Sequence, residues 1–93
     1  MKKVAILPSF EHSVDKLSAH DRQLLAKSLE RFNVFLVSGH QPPGFRFKKI
    51  DHNKYEFRVN IRLRVITKAE GDIFYLILVG SHDEVRRHLR NFR

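Results

Sequence analysis

The chain has 93 residues, 42% of them apolar, with no Cys and no Trp, a formal net charge of +8 and a pI near 10.3. This length predicts one domain spanning residues 1–93 with a modest core. The composition excludes disulfides, Cys-based metal sites and Cys nucleophiles, and the charge points to a polyanionic partner: nucleic acid, an acidic protein or an acidic membrane surface.

The charge is concentrated. Residues 44–69 carry eight Lys/Arg against two acids, whereas residues 70–93 carry four of each. At the N-terminus, residues 4–7 (Val-Ala-Ile-Leu) form an apolar run too short for a signal-peptide core. No segment approaches the roughly 20 apolar residues of a membrane span. Residues 4–7 instead read as a short strand, at an edge because Pro8 follows.

Ser9 is a candidate N-cap for a short helix whose Phe10, Val14 and Leu17 share one face. Ser18 to Asp21 opens a second helix, on which Leu25, Leu29, Phe32 and Leu36 recur at spacings of four, three and four. Gly39 is placed to stop it. Such a helical hairpin needs a sheet under its apolar face. Residues 40–44 are a loop by composition.

Residues 45–50 (Phe-Arg-Phe-Lys-Lys-Ile) alternate and predict a strand on which Arg46 and Lys48 share a face, with Lys49 on the other unless a bulge intervenes. Residues 51–54 form a turn. From Tyr55 to Thr67 the alternation lasts thirteen residues, more than twice an ordinary strand of about 5–6. Two strands joined at Asn60, the best turn former in the run, fit better.

Parity then fixes the register. With a loop at residues 60–62, Val59 faces Leu63, Phe57 faces Val65 and Tyr55 faces Thr67, all toward the core. Arg58 then lies opposite Arg64, and Glu56 opposite Ile66, on the outer face. A one-residue slip would scramble both faces. A turn at residues 68–72 leads to a nearly continuous apolar strand at residues 73–79, expected to be central and ended by Gly80. Ser81-His82-Asp83-Glu84 is a capping box. Val85, Leu89 and Phe92 make the apolar face of a last short helix, with Arg86, Arg87, Arg90 and Arg93 around it. The fold class is α+β: an N-terminal strand and helical hairpin packed on a mainly antiparallel sheet, then a short C-terminal helix.

These segments together resemble the RelE/ParE superfamily of type II toxin–antitoxin toxins. The resemblance is carried by Pro8-Ser9-Phe10 leading to Leu17, and by Gly44-Phe45-Arg46 to Ile50. Tyr55-Glu56-Phe57-Arg58-Val59, Leu63-Arg64-Val65-Ile66 and residues 79–85 (Val-Gly-Ser-His-Asp-Glu-Val) complete it. It implies a microbial-ribonuclease-like fold and a cytoplasmic toxin that cleaves mRNA on the ribosome, held by a cognate antitoxin in a hetero-oligomer. It implies no membrane and no cofactor. One branch of the family instead poisons DNA gyrase without being an enzyme, and an inactive binding module of the same fold is a further alternative.

By position, the resemblance puts Arg58, Arg64 and His82 at site positions. Active members often carry an aromatic residue after the Val of the last helix, where this chain has Arg86.

RNA is cut without metal when its own 2′-OH attacks the adjacent phosphate, given a base, an acid and cations for the developing charge. Arg58 and Arg64 are candidates for the charge clamp. His82 is the acid/base candidate, at a helix N-terminus whose dipole disfavours its charged form. Glu56 is the alternative base, or else a plain ion-pair partner of those arginines. Arg46, Lys48, Lys49, Arg62 and Arg86 are candidate RNA-backbone contacts. His12, His20, His40, His52 and His88 show no metal-ligand spacing, and no metal site is expected.

Overall fold

A computed structural model of the chain describes residues 2–91. The elements run β1 (Lys3–Ile6), α1 (Pro8–Asp15), α2 (Ala19–Ser38), β2 (Lys48–Asp51), β3 (Lys54–Arg58), β4 (Leu63–Glu70), β5 (Ile73–Ser81) and α3 (His82–Asn91). The five strands form one sheet in the order β1-β5-β4-β3-β2. Only the β1–β5 pair is parallel. The predicted Phe92 and Arg93 of the last helix lie outside the described residues.

The first helix begins two residues earlier than the Ser9 hydroxyl suggested. Leu7 is the N-cap, without a side-chain cap, and Pro8 occupies the first turn, where its missing N–H costs nothing and its fixed φ suits the helix. Ser9 is therefore inside α1, and its hydroxyl donates to Ile77 O at 2.6 Å, tying α1 to β5. The second helix starts and stops as its sequence predicts. Ser18 Oγ accepts from Asp21 N at 3.1 Å, and Gly39 takes the left-handed conformation, φ 79°.

The β3–β4 hairpin has the register that parity predicts: Tyr55 opposite Thr67, Glu56 opposite Ile66, Phe57 opposite Val65 and Arg58 opposite Arg64. Asn60 closes the turn, its side-chain oxygen accepting from the amides of both Arg62 and Leu63 at 2.8 Å. The next hairpin is tighter than expected. Strand β4 runs to Glu70, leaving only Gly71-Asp72 in the turn, with Gly71 supplying a positive φ of 59°.

β5 is an interior strand between β1 and β4, one place in from the edge, while the middle place expected for it belongs to β4. β5 does not stop at Gly80, which pairs with Arg64. A Cβ at Gly80 would lie 3.1 Å from Glu84 Cβ, so the absent side chain is what lets α3 fold back. The capping box forms in both directions: Glu84 N donates to Ser81 Oγ at 3.2 Å, and Ser81 N to Glu84 Oε1 at 2.9 Å.

Two apolar clusters lie on opposite faces of the sheet. Phe10, Leu25, Phe32, Phe45, Phe57, Val65, Phe74, Leu76 and Val79 form the larger, under α1 and α2. Phe32 is its hub, with ring centroids 4.8 Å from Phe57 and 5.5 Å from Phe74. The smaller cluster joins Ile66 and Ile77 to Val85 of α3. The outer face is thus not left wholly to solvent: α3 covers it at Ile66, and the charged remainder lies over β2, β3 and the start of β4.

Candidate phosphate-binding site

That remainder is a concavity of about 270 Å³ lined by Arg46, Phe47, Lys48, Glu56, Arg58 and Arg64. Strand alternation aims Glu56, Arg58 and Arg64 at it, since the intervening Phe57 and the facing Val65 are both fully buried on the helix side. Lys48 reaches it because it pairs with Glu56 across β2–β3.

Arg46 arrives differently. Residues 45–47 are not strand; β2 starts at Lys48, and Arg46 has a left-handed backbone, φ 54°. The cause lies on either side. Phe45 is fully buried, its N donating to Pro42 O at 3.2 Å and its O accepting from Arg58 N at 2.9 Å. Phe47 stacks on Tyr55, with centroids 5.1 Å apart. The Gln41 side chain brackets Phe47, donating to Phe47 O at 3.0 Å and accepting from Phe47 N at 3.1 Å. With both neighbours fixed, residue 46 takes up the remaining turn.

Among the described residues, Glu56 is the one carboxylate on the concavity. Arg64 Nε lies 3.2 Å from Glu56 Oε2, and Lys48 Nζ lies 4.0 Å from the same oxygen. Arg64 Nη1 also donates to Asn60 O at 3.4 Å. Arg58 is placed otherwise: its Nε is buried and has no hydrogen-bond partner among the described residues. Desolvation pulls Arg58 below the ordinary arginine value, the neighbouring charges of Arg46 and Arg64 pull it further, and Glu56 pulls it back.

The other expected residues are elsewhere. His82 opens α3 and Arg86 lies one turn on; both are exposed and neither lines the concavity. Lys49 is exposed opposite Tyr55, and a register shift follows it. Arg62, in the hairpin turn, is drawn to α2, where its Nη2 lies 2.9 Å from Asp21 Oδ2. That tether was not legible: no spacing links positions 21 and 62, whereas Asp21 read simply as a first-turn acid. Among the described residues no three His, Asp or Glu side chains are grouped as metal ligands.

No protein-family profile matches the chain, and neither does any curated protein sequence. Solved structures do. The chain is similar to the RelB–RelE antitoxin–toxin complex of Methanococcus jannaschii, at 17% identity and TM-score 0.69 over 90% of this chain and 96% of that one. It is similar to the E. coli DinJ–YafQ complex at 13% and 0.68, over 91% and 98%. The YoeB dimer of Staphylococcus aureus matches at 14% and 0.65, over 87% and 97%. The fold is therefore RelE-like: α+β, with a mostly antiparallel sheet.

Proposed function

We propose that this chain is the toxin of a type II toxin–antitoxin system and acts as an mRNA-cleaving endoribonuclease. The observation that carries the reading is the concavity itself. On a RelE-like sheet, three arginines and a lysine surround a single carboxylate, in a space that admits a phosphodiester.

The chemistry follows from those groups. Glu56, held in place by Arg64 and Lys48, takes the proton of the RNA 2′-OH. The 2′-oxygen then bonds to phosphorus and the bond to the 5′-oxygen breaks. The products are a 2′,3′-cyclic phosphate and a 5′-hydroxyl, whose proton comes from water entering the open concavity. The guanidinium groups stabilise the phosphorane charge, the usual largest contribution in such a site. His82 stands outside the concavity, so the base role passes to Glu56.

The partners follow from the charge. Ribosome-bound mRNA supplies the phosphates, and an antitoxin with an acidic segment covers the basic face in a toxin–antitoxin hetero-oligomer. The similar structures include complexes of RelE with RelB and of YafQ with DinJ. No helix among the described residues is long and apolar enough to cross a membrane, and the cytoplasm is the compartment where such a toxin meets ribosomes.

Cleavage of mRNA on programmed ribosomes tests this. The wild type should cut, Glu56→Gln should lose about a hundredfold or more, and His82→Ala should stay within a few-fold. A wild type that leaves mRNA intact but blocks gyrase supercoiling would replace the ribonuclease with a gyrase-directed toxin.

A further inference from the structure

The four cations of the concavity are not equivalent. Arg64 and Lys48 already have Glu56 as counterion. Among the described residues, neither Arg46 nor Arg58 has a carboxylate within ion-pair distance, and Arg58 Nε is buried without a partner. The two are neighbours, since Arg58 N donates to Phe45 O and the Arg46 charge acts on Arg58. A left-handed arginine is strained, and such strain persists only where its surroundings over-determine it. The Gln41 bracket, the buried Phe45 and the partly buried Phe47 do so here.

We infer that Arg46 and Arg58 together form the phosphate clamp, both closing on one phosphodiester at the β2–β3 edge, while Arg64 acts as the positioning residue for Glu56. This deepens, and rests on, the ribonuclease reading. Sequence pairing suggested Arg58 with Arg64; the ion pairs divide them. Two guanidinium forks on one phosphate can each donate two hydrogen bonds. An anion there offers the Arg58 guanidinium an acceptor and offsets the Arg46–Arg58 repulsion. The clamp is strained and self-repelling without its ligand, so the ligand gains what the empty protein gives up.

The test uses the whole chain and ribosomes programmed with an mRNA made uncuttable by 2′-O-methyl groups. Arg46→Gly and Arg58→Gln should each weaken binding roughly tenfold or more. The double variant should be only about threefold weaker than the worse single one, because both lose the same contact. A neutral methylphosphonate at one linkage should erase the difference between wild type and both variants. Arg46→Gly should also raise the thermal midpoint by a few degrees, since glycine accepts the left-handed backbone. Exposed Arg31 on α2 provides the control: Arg31→Gln should bind as wild type.

Arg46→Gly binding as tightly as wild type would overturn the clamp. So would sensitivity of the two variants to different linkages, or fully multiplicative losses. A wild type that does not bind the programmed ribosome at all would overturn the ribonuclease reading, and the clamp with it.

Discussion

Phe57 and Arg58 are neighbours on β3 and face opposite worlds. Phe57 is fully buried and stacks on Phe32 and Phe45, whose centroids are both 4.8 Å away. Arg58 lies opposite another arginine, near a third, with a buried donor unused. Burying one phenylalanine contributes about 1.5–3 kcal/mol. A like-charge pair across a sheet costs about 0.2–1 kcal/mol, and one left-handed non-glycine residue about 1–2 kcal/mol. The aromatic face can therefore offset the whole unfavourable inventory of the charged face with one or two rings. The apolar core and the charged concavity are separated by the pleat of a single strand.

The sharpest way to break that comparison is at its two adjoining residues. Phe57→Ala should cost about 3–5 kcal/mol in urea unfolding, because the stack cannot collapse into the gap. A loss under about 1 kcal/mol would mean that this face is not the core. Arg58→Ala should leave the unfolding midpoint unchanged or slightly raised while lowering mRNA cleavage about a hundredfold. If cleavage and stability fall together, the faces are not independent.

A smaller effect is expected where α1 meets the sheet. Ser13 Oγ accepts from Val79 N at 3.0 Å and donates to Phe10 O at 2.7 Å, all buried. Ser13→Ala orphans that amide and should cost about 1–3 kcal/mol, seen as selective loss of hydrogen-exchange protection at Val79.

The smallest effect sits at the α3 cap. Glu84 is held below the ordinary carboxylate value first by the Ser81 backbone hydrogen bond, with Lys16 and Arg87 adding to it against desolvation. A carboxyl so lowered stabilises the fold above its ordinary value of 4.5 and loses that contribution as pH falls through the folded value. The thermal midpoint of the wild type should exceed that of Glu84→Gln at pH 6, and the gap should close on going down to pH 3. A gap that widens in acid would refute the assignment.

Much of this was legible in the order of residues. Asn60 and strict alternation pointed to the hairpin register, because a one-residue slip would have put arginines into the aromatic stack. Gly39, Ser18 and the Ser81–Glu84 box announced helix ends through local chemistry. What sequence could not announce was non-local. The Phe-Arg-Phe alternation at residues 45–47 reads as strand, yet Gln41 and the stack hold it in another conformation that presents the same side chains. The tether of Arg62 to Asp21 depends on where α2 lands on the sheet, whereas the Arg64–Glu56 pair lies within the hairpin and was among the sequence's alternatives. His82 was placed by its position in the chain, and exposure at the start of α3 keeps it out of the concavity.

The parallel pairing of β1 with β5 joins Lys3 to Ile73, and it sets an order in time. At about 5–20 residues per second, a ribosome needs roughly 3–13 s to pass from the end of β1 to the start of β5. Throughout that interval β1 has no strand beside it, because its one neighbour in the sheet is β5. The β3–β4 hairpin with its arginines is already made, but the strand that joins it to β1 is the last to emerge. A chain interrupted before residue 73 therefore carries the charged residues without the closed sheet that holds them in register.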